Sequence, residues 1–385
     1  MNLKSATEAF EAIETPFYYY DMELLGRTLD ELNLQRAKYG YVAHYAVKAN
    51  DDPRILEAVR AAGLGVDCVS GGEVALALQA GFSPDKIVFA GVGKSDREIR
   101  LALEAGIGCF NCESIPEIEV IDDLAGSLGR RARIAVRVNP DIDAHTHKYI
   151  STGLEDNKFG ISAWAFDSLA TVLGRLQNTD FLGLHVHVGS QITDMGVFEL
   201  EGRRTLELLG WWRDRGFSIN YLNVGGGLGV DYDDPDANPV PQFAGWMESI
   251  HRNLPLSGGQ TLHFEPGRSI VAQCGSLISR VVFVKEGRTR KFAILDAGMN
   301  DLIRPALYGA HHKVQNLSSA GEETLYDVVG PVCESADIWG TDLTLPETLR
   351  GDLMAIRSAG AYGQVMAMDY NRRPRAKAVY SDQLK

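Results

Sequence analysis

The chain alternates short apolar runs with stretches whose apolar residues recur at roughly every third or fourth position. The first clear run is YVAHYAVKAN, residues 41–50, in which Val42, Ala43, Tyr45, Ala46 and Val47 are nearly continuous. Such a run predicts a strand buried on both faces. Helical periodicity follows over 53–62, then a strand over 65–69, a helix over 73–80 and a strand over 86–90. The same unit repeats as helix 96–105, strand 108–112, helix 115–128 and strand 133–138. Three more strands are predicted at longer spacing, over 181–188, 219–224 and 261–264. Eight strands alternating with helices fit an α/β fold closed as a (β/α)8 TIM-type barrel better than an open doubly wound sheet.

The open sheet is the competing fold, because GGGLG at 225–229 follows a strand. A dinucleotide fingerprint, however, opens a helix early in its βαβ unit, and here the loop VDYDDPDANPVP comes next. From about residue 272 the apolar period shortens to near two in SLISRVVFVKEG, KFAILDAG, ETLYDVVGPVCES and LRGDLMAIRSAG. That pattern predicts a C-terminal antiparallel β domain. The early segment PFYYYD reads as an extra strand able to join it. The expected division is a barrel over residues 37–270, with 1–36 and 271–385 forming the β-strand domain.

Composition narrows the function. With 385 residues, 45% hydrophobic and 23% charged, the chain has ample core for two or three domains, one of them a large barrel. A net charge of −13 argues against nucleic acid or an anionic membrane as main partner. Five cysteines, odd in number and thinly spread, point to a reducing compartment. The N-terminal stretch lacks a basic start followed by an apolar core, and no apolar run reaches about 18 residues. A cytoplasmic location is expected.

In barrels of this kind chemistry sits at the carboxyl ends of the strands. Those ends collect Lys48, Asp67, Ser70, Arg137, Asn139, His187, Gly189, Ser190, the glycines 225–227, Glu265, Gly267 and Arg268. Glycine turns expose backbone N–H groups to a phosphate, and Ser190 and Arg268 add donors. A lysine at the mouth of an apolar strand is expected to be partly desolvated, which lowers its pKa and frees its amine to capture an aldehyde. On its own segment, Lys48 reads more simply as a lysine snorkelling out of a strand end, and the rest of the chain has to outweigh that reading.

Taken together, AVKAN, HTHKYISTG with KFGIS, HVHVGSQ, VGGGLG, EPGR, MNDLIRPALYGAHH, GPVCES and GAYG resemble, in order, the fold-type-III pyridoxal-phosphate decarboxylases, whose barrel is of the alanine-racemase type. The resemblance covers nearly the whole chain and is nearest to the branch acting on diaminopimelate. It implies pyridoxal 5'-phosphate as cofactor and decarboxylation of meso-diaminopimelate to L-lysine, the last step of lysine biosynthesis. Alternatives on the same scaffold are a decarboxylase of a carboxylated polyamine or another basic amino acid, an amino-acid racemase, and a cofactor-binding regulatory homologue without activity.

The site residues are what this resemblance implies. Lys48 matches the lysine that takes the cofactor aldehyde, and His187 the histidine stacked on its ring. Asp67 and Arg137 belong to the cofactor set, with Lys158 at its edge. Ser190, Gly226, Gly227, Gly267, Arg268 and Tyr362 match phosphate-holding positions. Glu265 matches the acid on the pyridine nitrogen; a carboxylate there keeps that nitrogen protonated and the ring a strong electron sink. Racemases of the same barrel use arginine instead.

The substrate's distal carboxylate falls to Arg268, Arg304 and Tyr308, with Tyr362 beside them, and its distal ammonium to Glu334. Cys333 matches the proton donor to the α-carbon. The Cys333–Glu334 pair is expected to come from a partner subunit, giving a homodimer with shared sites completed by the β-strand domain. Without the motifs around them, His187 would read as a core histidine, Arg304 as a surface arginine and Cys333 as a small buried hydrophobe. Ala336 departs from the glycine that commonly follows Cys-Glu-Ser, but leaves Cys333 and Glu334 intact.

Three further features carry less. Cys109 and Cys112 have metal-like spacing but no second pair near in sequence, so no metal is expected and a barrel-interior role is favoured. His145 and His147, and His311 and His312, fall in loop motifs near the expected site rather than on a metal. NRRPRAK, residues 371–377, reads as a solvated basic face.

Overall fold

The computed structural model describes residues 3–140, 142 and 158–384. The segment 142–157, where a lid over the substrate was in question, and His145 and His147 therefore lie almost wholly outside the described residues. The chain divides into a unit of Leu29–Gly229 and Gln242–Gly267, and a unit of Met1–Thr28, Val230–Pro241 and Arg268–Lys385. The earliest strand, β1 (Phe17–Tyr20), belongs to the second unit.

The first unit is the expected barrel. Its strands are β2 (Val42–Ala46), β3 (Gly65–Cys68), β4 (Ile87–Phe89), β5 (Cys109–Cys112), β6 (Ala132–Arg137), β7 (Thr179–His185), β8 (Tyr221–Asn223) and β9 (Thr261–Phe264). Each pairs in parallel with the next, and β9 closes on β2 with His263 opposite Val42. The turns after the strands end in helix caps. Asp52 accepts from the backbone N–H groups of Arg54 and Ile55 ahead of helix Pro53–Ala61, while Ser70 and Ser114 each accept from the third residue of the helix they precede. A capped helix start follows each of these three strand ends, which holds the chemistry-bearing turns at one rim.

Inside the barrel Val88, Cys109, Ala135 and Tyr221 pack together. Cys109 and Cys112 lie buried on β5, and burial pushes the Cys109 thiol up to about 12. Both are buried residues of the barrel wall.

The second unit is a sheet ordered β12-β15-β10-β11-β13-β14, with β1 and β16 branching from β10. Its later strands are β10 (Gly275–Glu286), β11 (Lys291–Leu295), β12 (Val314–Asn316), β13 (Glu323–Val329), β14 (Ile338–Pro346), β15 (Leu353–Ile356) and β16 (Lys377–Tyr380). The PFYYYD segment does join this sheet: Phe17 faces Ile278 of β10 on one side and Lys377 of β16 on the other. The sheet is mostly antiparallel, as expected, with two parallel pairings, β11–β13 and β1–β16. The long connection from β11 to β13, which carries helix Arg304–Tyr308 and β12, gives the chain room for a parallel return.

Phe10, Phe17, Tyr19, Ile278 and Leu353 form the core of this unit. Val230–Pro241 groups with it rather than with the barrel. Gln273 donates to the carbonyls of Asp231 and Asn238, and Arg357 grips both carboxylate oxygens of Asp236.

One barrel residue has no local compensation. Glu201, on helix Met195–Arg213, is fully buried and neither carboxyl oxygen has a hydrogen-bond partner among the described residues. Burial pushes its carboxyl well above the usual range. The folded chain keeps this proton where the unfolded chain, with an ordinary pKa of about 4.3, has lost it. Folding stability therefore falls as pH rises from there toward the folded value. Glu201→Met is expected to raise Tm, by about 1–3 kcal/mol of stability near neutrality, with a gain that grows between about pH 5 and about pH 8. Thermal melts across that range showing a constant gain, or a loss, would contradict this account.

Candidate active site

At the rim of the barrel, Lys48 lies on the short turn Val47–Ala49 that ends β2. In register, Ala46 of β2 faces Asp67 of β3, which brings Lys48 Nζ within 3.0 Å of Asp67 Oδ2. The sequence predicts a partly desolvated lysine. In the structure 42% of its side chain is open, and the neighbouring carboxylate favours the ammonium. Asp67 carries the burial instead. Desolvation, then the charge of Glu265, pushes its carboxyl up to about 6, against the opposing pull of Lys48.

Glu265 follows directly on β9 and is buried. Its Oε1 accepts from Asn111 Nδ2 at 3.1 Å and from Asn223 Nδ2 at 2.6 Å, while His185 Nε2 lies 3.2 Å from Oε2. Burial alone would raise this carboxyl. The charge and hydrogen bond of His185, with Lys48 beyond, outweigh it and hold Glu265 well below the usual carboxylate range.

The glycine turn after β8 is built for close approach. Gly225 and Gly227 have φ of +65° and +103°, a region costly for other residues. A Cβ on Gly225 would collide with the His187 ring, and one on Gly226 with the Glu265 carbonyl. His187 Nδ1 accepts from the Gly226 N–H at 3.3 Å, which an imidazolium could not do. Burial, reinforced by Arg137 and Lys48, keeps this histidine well below its ordinary pKa. Half-buried Ser190 follows Gly189, whose carbonyl faces Gly227. Arg137, at the end of β6, is buried and donates to Glu113 Oε1 at 2.8 Å. Lys158 is exposed, next to Phe159, whose ring stacks under the Arg137 guanidinium.

The second unit holds a separate cluster. Arg268 and Arg304, both buried, donate to one acceptor, the hydroxyl of Tyr232, at 2.7 and 3.1 Å. His312 accepts from Arg304 at 2.8 Å and donates to the Arg357 carbonyl at 2.9 Å, so it is neutral; burial, then Arg304, takes its pKa down to about 3. The Tyr362 ring lies 4.9 Å from the Arg268 guanidinium, and half-buried Tyr308 ends helix Arg304–Tyr308. Cys333 and Glu334 are exposed, and Glu334 accepts from the Tyr370 hydroxyl at 2.7 Å. Two guanidiniums on one phenol oxygen leave a net positive charge suited to a carboxylate.

Residues 28–272 match the family described as pyridoxal-dependent decarboxylase, pyridoxal binding domain. The diaminopimelate decarboxylase of Bacteroides thetaiotaomicron is 53% identical over 98% of this chain and 98% of its own. That of Aquifex aeolicus is 39% identical over 97% of this chain and 88% of its own. The crystal structure of diaminopimelate decarboxylase from Helicobacter pylori complexed with L-lysine superposes with a TM-score of 0.90. It is 38% identical over 98% of this chain and 95% of that one.

The chain belongs to the pyridoxal-dependent decarboxylase family.

The barrel residues fit that family's cofactor on their own geometry. Asp67 Oδ1 and Arg137 Nη2 are buried without a hydrogen-bond partner among the described residues. A polar ligand at this rim would relieve that cost. The turn 225–227, whose positive φ values and crowding exclude side chains, is what a phosphate requires. Lys48, Asp67, His187, Gly226, Gly227 and Glu265 are thus brought together on one barrel. Arg268, Arg304 and Tyr362 are brought together in the other unit.

Sequence reasoning missed Asn111, Asn223, His185 and Tyr232. The first three sit inside strands that were read only for apolar pattern, and Tyr232 in an acidic loop read as a connector. His312, set aside as a loop histidine, in fact fixes Arg304.

Because Asp67 stabilises the Lys48 ammonium, Asp67→Asn is expected to lower the pH at which Lys48 takes up pyridoxal phosphate, by about one unit. The midpoint of cofactor uptake against pH, followed by absorbance, measures this. An unchanged or higher midpoint would count against the pairing.

Proposed function

We propose that this chain decarboxylates meso-diaminopimelate to L-lysine and CO2 with pyridoxal 5'-phosphate, in a homodimer whose subunits share their sites. The observation that carries the reading is Glu265, a buried carboxylate held ionised at the end of β9, where it would suit a protonated pyridine nitrogen. When bound, pyridoxal phosphate supplies a cationic conjugated ring that accepts the electron pair left by departing CO2.

The roles of the chain's own residues follow from their chemistry. Lys48 Nζ holds the cofactor aldehyde, and Asp67 beside it steadies the amine's proton. Glu265 Oε2 keeps a proton on the pyridine nitrogen. Neutral His187, its Nδ1 already engaged by Gly226, would stack on the ring. In the barrel the N–H groups of 225–227, Ser190 and Gly267 would take the phosphate, with Arg137 at the edge of the cofactor set; that Arg268 and Tyr362 also serve it is what the resemblance implies. Arg268, Arg304 and Tyr308 take the substrate's distal carboxylate, and Glu334, oriented by Tyr370, its distal ammonium. Cys333 Sγ then delivers a proton to the α-carbon.

The exposure of Cys333 and Glu334 supports their service to a partner subunit. All five cysteines are free thiols, which supports a reducing, cytoplasmic setting.

Purified protein with pyridoxal phosphate and meso-diaminopimelate is expected to release CO2 and lysine in equal amounts, and Lys48→Ala to abolish both that turnover and the cofactor's bound absorbance. Exchange of the α-hydrogen without CO2 would instead reveal a racemase. For the dimer, Lys48→Ala and Cys333→Ala subunits, each inactive alone, should recover about a quarter of wild-type turnover when unfolded and refolded together. No recovery would place Cys333 in its own subunit's site.

A further inference from the structure

Asn223 ends β8 with its side chain almost wholly buried, and no part of the reaction requires it to touch substrate. Its amide has two ends with different tasks. Oδ1 accepts from the Gly225 N–H at 2.8 Å, and Nδ2 donates to Glu265 Oε1 at 2.6 Å. The Glu265 backbone N–H in turn donates to the Gly225 carbonyl at 2.7 Å. These three bonds close a ring through the glycine turn, the amide and the acid. Its direction is fixed by chemistry, since a backbone N–H only donates and an ionised carboxylate only accepts. The amide cannot be turned over without losing both contacts.

We propose that Asn223 is a positioning residue whose single amide ties the phosphate-holding turn to the acid that faces the cofactor ring, with Asn111 as a second donor to that acid alone. This rests on the decarboxylase reading above and adds to it a coupling between two parts of the cofactor site. With Oε1 occupied by both amides, only Oε2 is left to meet a ring nitrogen, so the carboxylate's rotation is set before any ligand arrives. Ordering of 225–227 by a phosphate also stiffens Asn223, and through it Glu265.

The geometry allows the two tasks to be separated. Asn223→Asp keeps an acceptor for Gly225 but loses the donor to Glu265 and sets a second carboxyl against it. Asn111→Leu loses only a donor to Glu265. Asn223→Leu loses both ends. Three measurements are made on each variant and on the wild type: the Kd for pyridoxal phosphate, the pH titration of the bound cofactor's absorption band, and the Tm of the cofactor-free protein.

Asn111→Leu is expected to keep the cofactor Kd within about threefold while shifting the pH titration of the band, and Asn223→Asp to shift the band further in the same direction. Asn223→Leu should shift the band and also weaken Kd by roughly ten- to a hundredfold. Should Asn223→Leu not fold, the other two variants still decide the matter, because a purely structural asparagine predicts wild-type titration in both. Unshifted titrations in Asn111→Leu and Asn223→Asp overturn the proposal, as does Asn223→Leu with wild-type Kd. Wild-type protein that takes up no pyridoxal phosphate would overturn the functional reading itself, a result distinguishable from these.

Discussion

The barrel's chemistry depends on one carboxylate kept ionised in a place that should protonate it. Glu265 is buried, and burial raises a carboxyl. It stays charged because His185 lies at one oxygen and two asparagine amides donate to the other. Each contributor comes from a different strand, β5, β7 and β8, so the closed barrel is what assembles them. No single segment of this sequence could build such a site, and an open sheet would not bring those three strands around β9.

Two clusters, one in each unit, treat charge in opposite ways. At the barrel rim, acids and bases are paired closely: Lys48 with Asp67, Arg137 with Glu113, His185 with Glu265. In the other unit, Arg268 and Arg304 share a phenol hydroxyl, and a neutral histidine stands behind one of them. Burial alone would raise the Tyr232 hydroxyl, yet the two guanidiniums outweigh it and its pKa is lowered. A pair of guanidiniums left on a shared neutral acceptor keeps its capacity for an anion. Fully neutralised arginines would have spent that capacity on the protein itself.

The architecture was legible in the sequence to the extent that periodicity decides it. Eight apolar runs became eight barrel strands, and PFYYYD joined the sheet where its pattern suggested. The parallel pairings of β11 and β1 were not legible, because period two says nothing about direction. Strand β14, IWGTDLTLP, was overlooked since its mixed exposure lacks a clean apolar face. The glycine turn and the residues at strand ends were visible as chemistry-bearing types in the right places. Asn223 was not, as a polar residue within YLNV carries no spacing signal; only the fold shows that it faces both Gly225 and Glu265.

Lys48 and Glu201 show why residue type and local pattern are insufficient. An apolar run predicts a partly desolvated lysine, and more than half of that side chain is covered, but the register of β2 on β3 also gives it a carboxylate neighbour that the run does not show. Glu201, on helix Met195–Arg213, is buried like Glu265 yet has no donor on either oxygen among the described residues. The two glutamates are pushed in opposite directions, one well up and one well down. Burial is common to both, so it cannot be the cause of the difference. The cause is His185, with Lys48 and His187 beyond it, near one glutamate, and no such group acting on the other. The ionisation of Glu265 is therefore a property of the assembled barrel rather than of the glutamate or its depth.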